Sequence, residues 1–411
     1  GDTTDSKAIG AKLGVATLLE GTVRRDGERV RIVVELVNAA NGSSLWSQVY
    51  DRELKDIFDV QSDIARSIAG AMQIKLQGAA APNDDKPPGG NLDAYGAFLQ
   101  GGFFAARGGE EDDRRAIEYY QRAVKIDPEY ALAYARLGKT LISHAAQYLG
   151  GEESAQAYAR ARAAVGRALS LAPDMAESHI ARGALLNTVN FDQAGAVKEF
   201  RHALQLAPNN LDAKAALALQ LATLGELRDA EALLQQALSN DPLRTTWLVQ
   251  LATYLVPLGR LDDAEHAIRR AIALQPNASY NHVVLTIIEI RRNVPAAAMQ
   301  AAQAEPRGPW QDYAMALAKY AAGDSAGANA ALQELIRRYA DAAPFQIASA
   351  YAMRKDPDAA FQWLDRAWKA RDPGVSTLLY DPFLLAYRND PRFAALCAKA
   401  GLPPPAREPA D

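Results

Sequence analysis

The sequence contains a single cysteine, Cys397, in 411 residues. An internal disulfide and a cluster of thiolate metal ligands are therefore excluded. No run of about 18 apolar residues occurs, so the sequence predicts no membrane-spanning helix. Charge of one sign is not in large excess, because 45 basic and 49 acidic residues leave a net charge of −4. The chain therefore has no overall basic field that would attract nucleic acid or an anionic membrane.

Catalytic and metal-binding patterns are also scarce. No two of the five histidines have the i, i+4 spacing of a zinc-binding helix; they are His144, His179, His202, His266 and His282. The sequence Leu137-Gly138-Lys139-Thr140 resembles the end of a phosphate loop, but the glycine that such a loop needs five residues before Gly138 is Ala133. The acidic run at 110–113 lacks the alternating spacing of a calcium loop. We therefore predict no catalytic residue, no metal ion and no cofactor, and we expect the chain not to be an enzyme.

The strongest pattern in the sequence is an internal repeat. A four-residue pattern occurs five times: an alanine, a large residue four positions later, a second alanine three positions after that, and a proline five positions further on. The prolines of the five units are Pro128, Pro173, Pro208, Pro242 and Pro276. Spacings of four and three place both alanines and the large residue on one helical stripe, where small side chains let a neighbouring helix approach closely. Gly225 and Gly259, and Asn190 in another unit, suit the left-handed conformation that follows a helix end. Each unit is therefore predicted to be two antiparallel helices.

Two further features extend this helical array. The first interval between prolines is longer than the others and contains an insertion near 144–154. Beyond Pro276, residues 310–339 read as another helix pair with a turn at Gly323, and Ala360, Leu364 and Ala367 repeat the second-helix stripe. We predict that the array continues over residues 91–380 and that residues 381–411 form a C-terminal cap and tail.

In the first part of the chain, apolar residues recur with a period of two instead of the helical spacing of the repeats. Apolar residues alternate from Val30 to Leu36, and Asp26-Gly27 joins this run to an earlier one as a hairpin turn. A third run follows at 45–50, and an amphipathic helix follows from Ile57 to Ile68 with Asp56 as its cap. The sequence therefore predicts a mainly α chain: a small α+β domain with a three-stranded antiparallel sheet over residues 1–78, a linker over 79–90, and an α-α superhelix after it.

The repeats resemble the tetratricopeptide repeat, which has a period of 34 residues, and Tyr134-x2-Leu137-Gly138-x2-Leu141 resembles its first-helix signature.

The segments at 9–15, 19–24 and 50–52 (IGAKLGV, LEGTVR and YDR) resemble the second half of a TolB-like (FlgO-like) domain. That domain precedes tetratricopeptide arrays in bacterial class III adenylate cyclases and membrane-bound winged-helix regulators. The family's domain opens with another strand and helix. Either this sequence starts within the domain or its sheet lacks a strand. A missing strand would leave the sheet with an unpaired edge strand. The resemblance carries over no cyclase activity, because the family's catalytic domain lies upstream.

The resemblance to solenoid proteins implies that the first helices line a concave groove. Repeat phase places a mostly small and apolar set there that becomes aromatic toward its C-terminal end: Lys139, Thr188, Leu219, Thr223, Thr253, Tyr280, Ile287, Trp310 and Tyr313. Such a floor suits a peptide with apolar anchors. The alternative is a face that is merely solvated or is filled by the chain's own segments.

Two functional hypotheses follow from these features. The first is a non-catalytic interaction and regulatory module of a bacterial signalling protein, which binds a protein or peptide in the groove and no nucleic acid. The second is a structural scaffold that forms homo-oligomers through the edge of the N-terminal sheet. The compartment stays open between cytoplasm and periplasm, with a tether to the inner membrane through upstream sequence as one option.

Overall fold

The computed structural model describes residues 6–53, 60–61, 63–64, 67–68 and 85–405. The chain divides into two compact units, Gly1–Lys86 and Pro87–Asp411. Pro87 is buried, and the Gly89 N–H donates to Asp127 Oδ2 at 3.3 Å, so these residues pack with the second unit. The division therefore falls within the predicted linker 79–90, of which residues 79–84 lie outside the described residues.

The N-terminal unit contains the predicted antiparallel sheet. Its described elements are helix α1 (Ser6–Leu13) and strands β1 (Thr17–Asp26), β2 (Arg29–Asn38) and β3 (Ser44–Glu53), in the order β1-β2-β3. Gly27 takes a left-handed φ of +56° in the turn between β1 and β2, as the hairpin signal predicts. The three-stranded sheet is confirmed.

One face of this sheet is covered by helical residues from the region after β3. Val60 is buried and packs with Val34 and Tyr50, and Ile64 and Ile68 lie against the same cluster. The alternation of apolar and polar residues along β2 therefore reflects one buried face. Asp56 and Ile57, the predicted start of this helix, lie outside the described residues.

The second unit consists of paired helices. They are α2 (Leu92–Arg107), α3 (Glu110–Ile126), α4 (Ala131–Tyr148), α5 (Gly151–Leu171), α6 (Ala176–Thr188), α7 (Gln193–Leu206), α8 (Leu211–Thr223), α9 (Leu227–Asn240), α10 (Thr245–Leu255), α11 (Leu261–Leu274), α12 (Asn281–Arg291), α13 (Pro295–Ala304), α14 (Pro309–Ala321), α15 (Ser325–Tyr339), α16 (Pro344–Met353), α17 (Pro357–Lys369) and α18 (Pro391–Lys399). Two 3₁₀ helices, Pro373–Thr377 and Leu384–Tyr387, lie between α17 and α18. We call α2, α4, α6, α8, α10, α12, α14 and α16 the first helices and their following partners the second helices.

The repeated alanines explain how closely these helices pack. Each alanine of the pattern is 0% exposed, from Ala116 in α3 to Ala271 in α11, and the large residue between each pair is also buried. Each second helix of the five units ends two residues before its proline, as from Ile126 to Pro128, because proline cannot continue the hydrogen-bonding ladder. The sequence pattern therefore corresponds to the interface within each helix pair.

The turns within the pairs correct one expectation. Gly225 and Gly259 take φ values of +83° and +74°, as predicted. In the unit with Asn190, however, the left-handed residue is Phe191, at φ +55°. The Phe191 ring lies 5.8 Å from the Trp368 ring and under the Arg371 guanidinium, so contacts with a distant helix hold a residue type that rarely adopts this conformation.

The apolar core of the second unit is divided unequally. One cluster extends from Ala176 to Leu402, and a smaller one extends from Ala94 to Ala164. The predicted insertion accompanies the long helices α4 and α5, of 18 and 21 residues, which contribute to the smaller cluster and to a third one formed by Ala135, Val165, Ala168 and Ala181.

Candidate protein-binding surface

The predicted groove residues lie on the first helices, except Tyr280, which directly precedes α12, and they differ in exposure. Thr223, Ile287 and Tyr313 are buried, whereas the others are half-buried: Lys139, Thr188, Leu219, Thr253, Tyr280 and Trp310. A partner could touch the second group directly. The first group contributes to the core of the array. That any of these residues binds a partner stays a prediction.

The C-terminal part of this surface is covered by the chain itself. Residues 373–387, which we call the C-terminal segment, contact α8 and α16. The Tyr380 ring packs edge-on against Tyr254 of α10 at 5.6 Å, and Leu379 lies beside Gly225 at the end of α8. Leu378 and Leu384 are also buried. The segment therefore does more than cap the last repeat, because it reaches first helices well before the C-terminal end of the array.

A buried carboxyl group anchors this segment. Asp381 Oδ1 accepts hydrogen bonds from the backbone N–H groups of Phe383 and Leu384, both at 2.9 Å. Asp381 Oδ2 accepts from the Ser349 hydroxyl at 2.9 Å, and the Tyr313 hydroxyl donates to Ser349 Oγ at the same distance. Burial raises the pKa of Asp381 above its ordinary value. Tyr313 therefore belongs to the network that holds the segment.

The aromatic end of the predicted groove is also close to the C-terminal segment. Tyr280 and Trp310 pack at 4.7 Å between ring centroids, and burial raises the pKa of Tyr280 to about 12. Asp381 adds to that rise through its negative charge. Tyr280 therefore lies near the C-terminal segment, and both rings are half-buried.

The N-terminal part of the surface has a different chemistry. Charged side chains from the first helices α4, α6 and α8 meet Arg244, which precedes α10; we call Arg136, Lys139, Glu177, Asp212 and Arg244 the charged cluster. Arg136 Nη1 lies 2.9 Å from Asp212 Oδ2. The positive charge of Lys139, followed by that of Arg136, holds the pKa of Asp212 well below its ordinary value.

Lys139 differs from the other members of this cluster. Its side chain borders a small pocket together with Ala135, Arg136, Glu177 and Ile180. Among the described residues, no acceptor is recorded within hydrogen-bond or ion-pair distance of its ammonium group. Burial lowers the pKa of Lys139 below its ordinary value. The resemblance to a phosphate loop plays no part here, because Gly138 and Lys139 lie within α4.

The sequence predicts Lys139 at this surface but not the other members of the charged cluster. Glu177 and Asp212 are each the second residue of a first helix, 35 positions apart, so repeat phase could have indicated that they share one edge. Arg136 and Arg244 offered no such signal, because their proximity depends on how successive repeats are stacked.

The described residues contain no group of three or more side chains suited to hold a metal ion. Cys397 is buried, and burial raises its pKa to about 11, which disfavours the thiolate. Within the described ranges, no helix combines the length and apolar character needed to cross a bilayer.

Family models of the tetratricopeptide repeat match residues 109–130, 215–279 and 313–375. Together with the paired helices, these matches decide the fold. The helical array is a tetratricopeptide superhelix. Solved structures similar to it include the Cut9-Hcn1 hetero-tetramer of the APC/C, with 16% identity, 75% of this chain and 55% of that chain covered, and a TM-score of 0.48. PilF of Pseudomonas aeruginosa has 17% identity, with 51% and 92% of the chains covered and a TM-score of 0.41.

A curated relative of this chain is putative adenylate cyclase 3 of Rhizobium meliloti (strain 1021). The two are 33% identical over 139 residues, which is 33% of this chain and 23% of the relative. The match thus spans less than a quarter of that relative. The resemblance of the N-terminal unit to a TolB-like domain stays a prediction.

Proposed function

We propose that this chain is a non-catalytic interaction module in the regulatory part of a bacterial signalling protein. Its binding surface would be the N-terminal part of the first-helix surface, on α4, α6 and α8. The observation that supports the proposal is that the C-terminal segment covers one part of the first-helix surface and not the other. The C-terminal segment contacts α8 and α16, whereas Lys139, Ala184 and Thr188 lie on α4 and α6 and are half-buried.

The chemistry of the open part supports a peptide or an extended protein segment. Ala184 and Thr188 lie one helical turn apart on α6, and Leu219 follows on α8. Small and apolar side chains at this spacing leave room for a chain that lies across the helices, with apolar contacts along it and polar contacts at the charged cluster. The similarity to a putative adenylate cyclase supports the assignment to signalling.

The test is a selection of phage-displayed random peptides against the purified full chain. The affinity of a selected, fluorescently labelled peptide is then measured by anisotropy. Ala184→Arg should weaken binding by about tenfold or more, because a long cation would occupy the surface. Ala163→Arg is the matched control, since Ala163 is exposed on the second helix α5.

Thermal melts separate binding from folding in this test. If Ala184→Arg folds normally and binds the peptide as well as the unmodified chain does, the proposed surface is wrong. Replacing Tyr280, Trp310 and Tyr313 would be less informative, because Tyr313 is buried in the network that holds the C-terminal segment.

A second candidate, self-association through the N-terminal sheet, has its own supporting observation. Among the described residues β1 pairs with β2 alone, and Leu19 and Val23 are 52% and 69% exposed on it. An unpaired strand with exposed apolar residues favours pairing with a second copy. Light scattering of the full chain would test this, with Val23→Lys expected to reduce association. A monomer at high protein concentration would contradict it.

A further inference from the structure

Helix α2, which begins the array, carries exposed apolar side chains on the side opposite its partner helix α3. Leu99 and Phe103 lie one helical turn apart and are 46% and 55% exposed, whereas Gly101 is buried against Tyr120 of α3. We call six exposed residues of this helix the α2 face: Asp93, Gly96, Leu99, Gln100, Phe103 and Arg107. We propose that a second copy of this chain covers the α2 face, with the two α2 helices antiparallel across a twofold axis.

The repeat phase identifies the position of Phe103 as one that is packed in other first helices. Gly101 in α2 and Gly138 in α4 are equivalent, since at each of them the first helix meets the large residue of its second helix. The residue two positions later is Phe103 in α2 and Thr140 in α4, and Thr140 is only 9% exposed. The large ring therefore stands exposed where the next repeat buries a small side chain.

This position faces the preceding helix pair in later repeats. The intervals between the repeat prolines carry it from Thr140 to Leu185 in α6, which is half-buried, and to Gln220 in α8 and Tyr254 in α10, each 1% exposed. The Gln220 amide donates to Gln193 Oε1 of α7, in the pair before it. Residues 87–91, which precede α2 in the second unit, form no helix. The second unit thus supplies no helix pair for Phe103.

The α2 face is complementary to itself in shape. In an antiparallel pair centred on Gln100, Phe103 of one copy lies at the level of Ala97 of the second copy, within one residue of Gly96 there. One residue is about 1.5 Å along a helix axis. A Cβ on Gly96 would meet nothing within 4 Å, so this glycine leaves room for the ring. The twofold axis repeats the contact at the other end of the pair.

The same register brings opposite charges together. Asp93, Gln100 and Arg107 follow one another at intervals of seven residues, which places them along one side of the helix. In the antiparallel pair, Asp93 of each copy therefore lies opposite Arg107 of the other. Arg107 Nε lies 2.9 Å from Asp112 Oδ2, and the guanidinium has further N–H donors for a second carboxylate. This charge complementarity favours a second α2 helix over an unrelated apolar segment.

Self-association of the full chain, measured by sedimentation velocity over a range of concentrations, tests the proposal. Because the N-terminal sheet is also a candidate for association, each variant is compared in a chain that carries Val23→Lys. We expect a monomer–dimer equilibrium in which Phe103→Asp raises the dimer dissociation constant by about tenfold or more. Val294→Asp, at an apolar residue that is 42% exposed, is the control and should leave the constant unchanged.

Charge reversal tests the antiparallel register. Asp93→Arg and Arg107→Asp should each raise the dissociation constant by about threefold or more, because like charges then meet at both ends of the pair. An equimolar mixture of these two variants should form a heterodimer more tightly than either variant forms a homodimer, since every facing pair is then opposite in sign.

Cross-linking locates the centre of the interface. Gln100→Cys places a thiol beside its own counterpart, and the natural cysteine, Cys397, is buried. A short bismaleimide should therefore link Gln100→Cys chains into covalent dimers. Ala163→Cys, on the exposed side of α5, is the matched control and should give few.

Three outcomes would overturn the proposal. They are a chain that stays monomeric at high concentration, an association that Val23→Lys alone abolishes, and a dimer that Phe103→Asp leaves intact. The second outcome assigns association to the N-terminal sheet. Thermal melts establish that each variant is folded. If Phe103→Asp does not fold, the mixture of Asp93→Arg and Arg107→Asp decides, and a mixture no tighter than its components counts against the α2 pair.

Discussion

Two glycines on the first helices lie directly against large side chains of the second helices. A Cβ on Gly138 would lie 2.6 Å from Val165 Cγ2, and a Cβ on Gly183 would meet the Phe200 ring. Val165 and Phe200 are both large residues of the repeated alanine pattern. The absence of a side chain at these glycines therefore sets how closely the two helices of a pair can approach.

Two glycine-to-alanine substitutions should consequently have opposite effects on stability. Gly183→Ala forces the Phe200 ring to move, and overpacking of this kind costs about 1–3 kcal/mol. Gly166→Ala in α5 meets nothing within 4 Å and should add about 1 kcal/mol, because alanine favours the helix. Urea denaturation of both variants measures the difference. If both substitutions stabilise the protein, the proposed tight approach at Gly183 is wrong.

The buried carboxyl of Asp381 predicts a dependence of stability on pH. Because burial raises its pKa, the folded state retains the proton at pH values where the unfolded state, with a pKa of about 3.9, has lost it. The stability contributed by this group is therefore fully present below about pH 3.9 and is lost as the pH rises through the raised value.

Asp381→Asn removes that titration and can still accept the two backbone hydrogen bonds. We expect its free energy of unfolding to rise relative to the unmodified chain between about pH 4 and pH 7. Urea denaturation across this range measures it, and Asp174→Asn, at an exposed aspartate, is the control. A constant difference between the Asp381→Asn and unmodified curves would contradict the expectation.

At the scale of elements, the sequence is informative wherever contacts are local. The spacing of Ala196, Phe200 and Ala203 predicts one face of α7, and that face is buried. The docking of the C-terminal segment is different. Tyr380 meets Tyr254, 126 positions earlier in the chain, because stacking of the repeats brings them together. No local period encodes such a contact, so the sequence could predict the helices but not which end of the surface stays open.

Tyr380→Ala tests whether the C-terminal segment is fixed in place. Tyr380 is 4% exposed, so its truncation should cost about 3–5 kcal/mol and increase hydrogen exchange in the segment and in α8. Tyr148→Ala is the control, because Tyr148 is 38% exposed at the end of α4. Equal exchange in the two variants would mean that Tyr380 does not hold the segment.

At the scale of the whole second unit, contacts between distant repeats alter the expected unfolding behaviour. In a simple solenoid each repeat contacts its neighbours, and stability is the sum of local terms. Here Phe191, in the turn between α6 and α7, packs on Trp368 of α17, and the C-terminal segment joins α8 to α16. The core from Ala176 to Leu402 is consequently held together by contacts that cross several repeats.

This arrangement predicts two levels of protection in native-state hydrogen exchange. Amides of α8, α10 and α16 should open together with one free energy, since they share the larger core, whereas α2 and α3, in the smaller core, should open separately at lower cost. Exchange measured at increasing urea concentration distinguishes them. Trp368→Ala should weaken the coupling, so that α16 opens before α8. Protection that instead declines evenly from the middle of the array toward both ends would indicate an ordinary linear solenoid, and the distant contacts would then contribute little to stability.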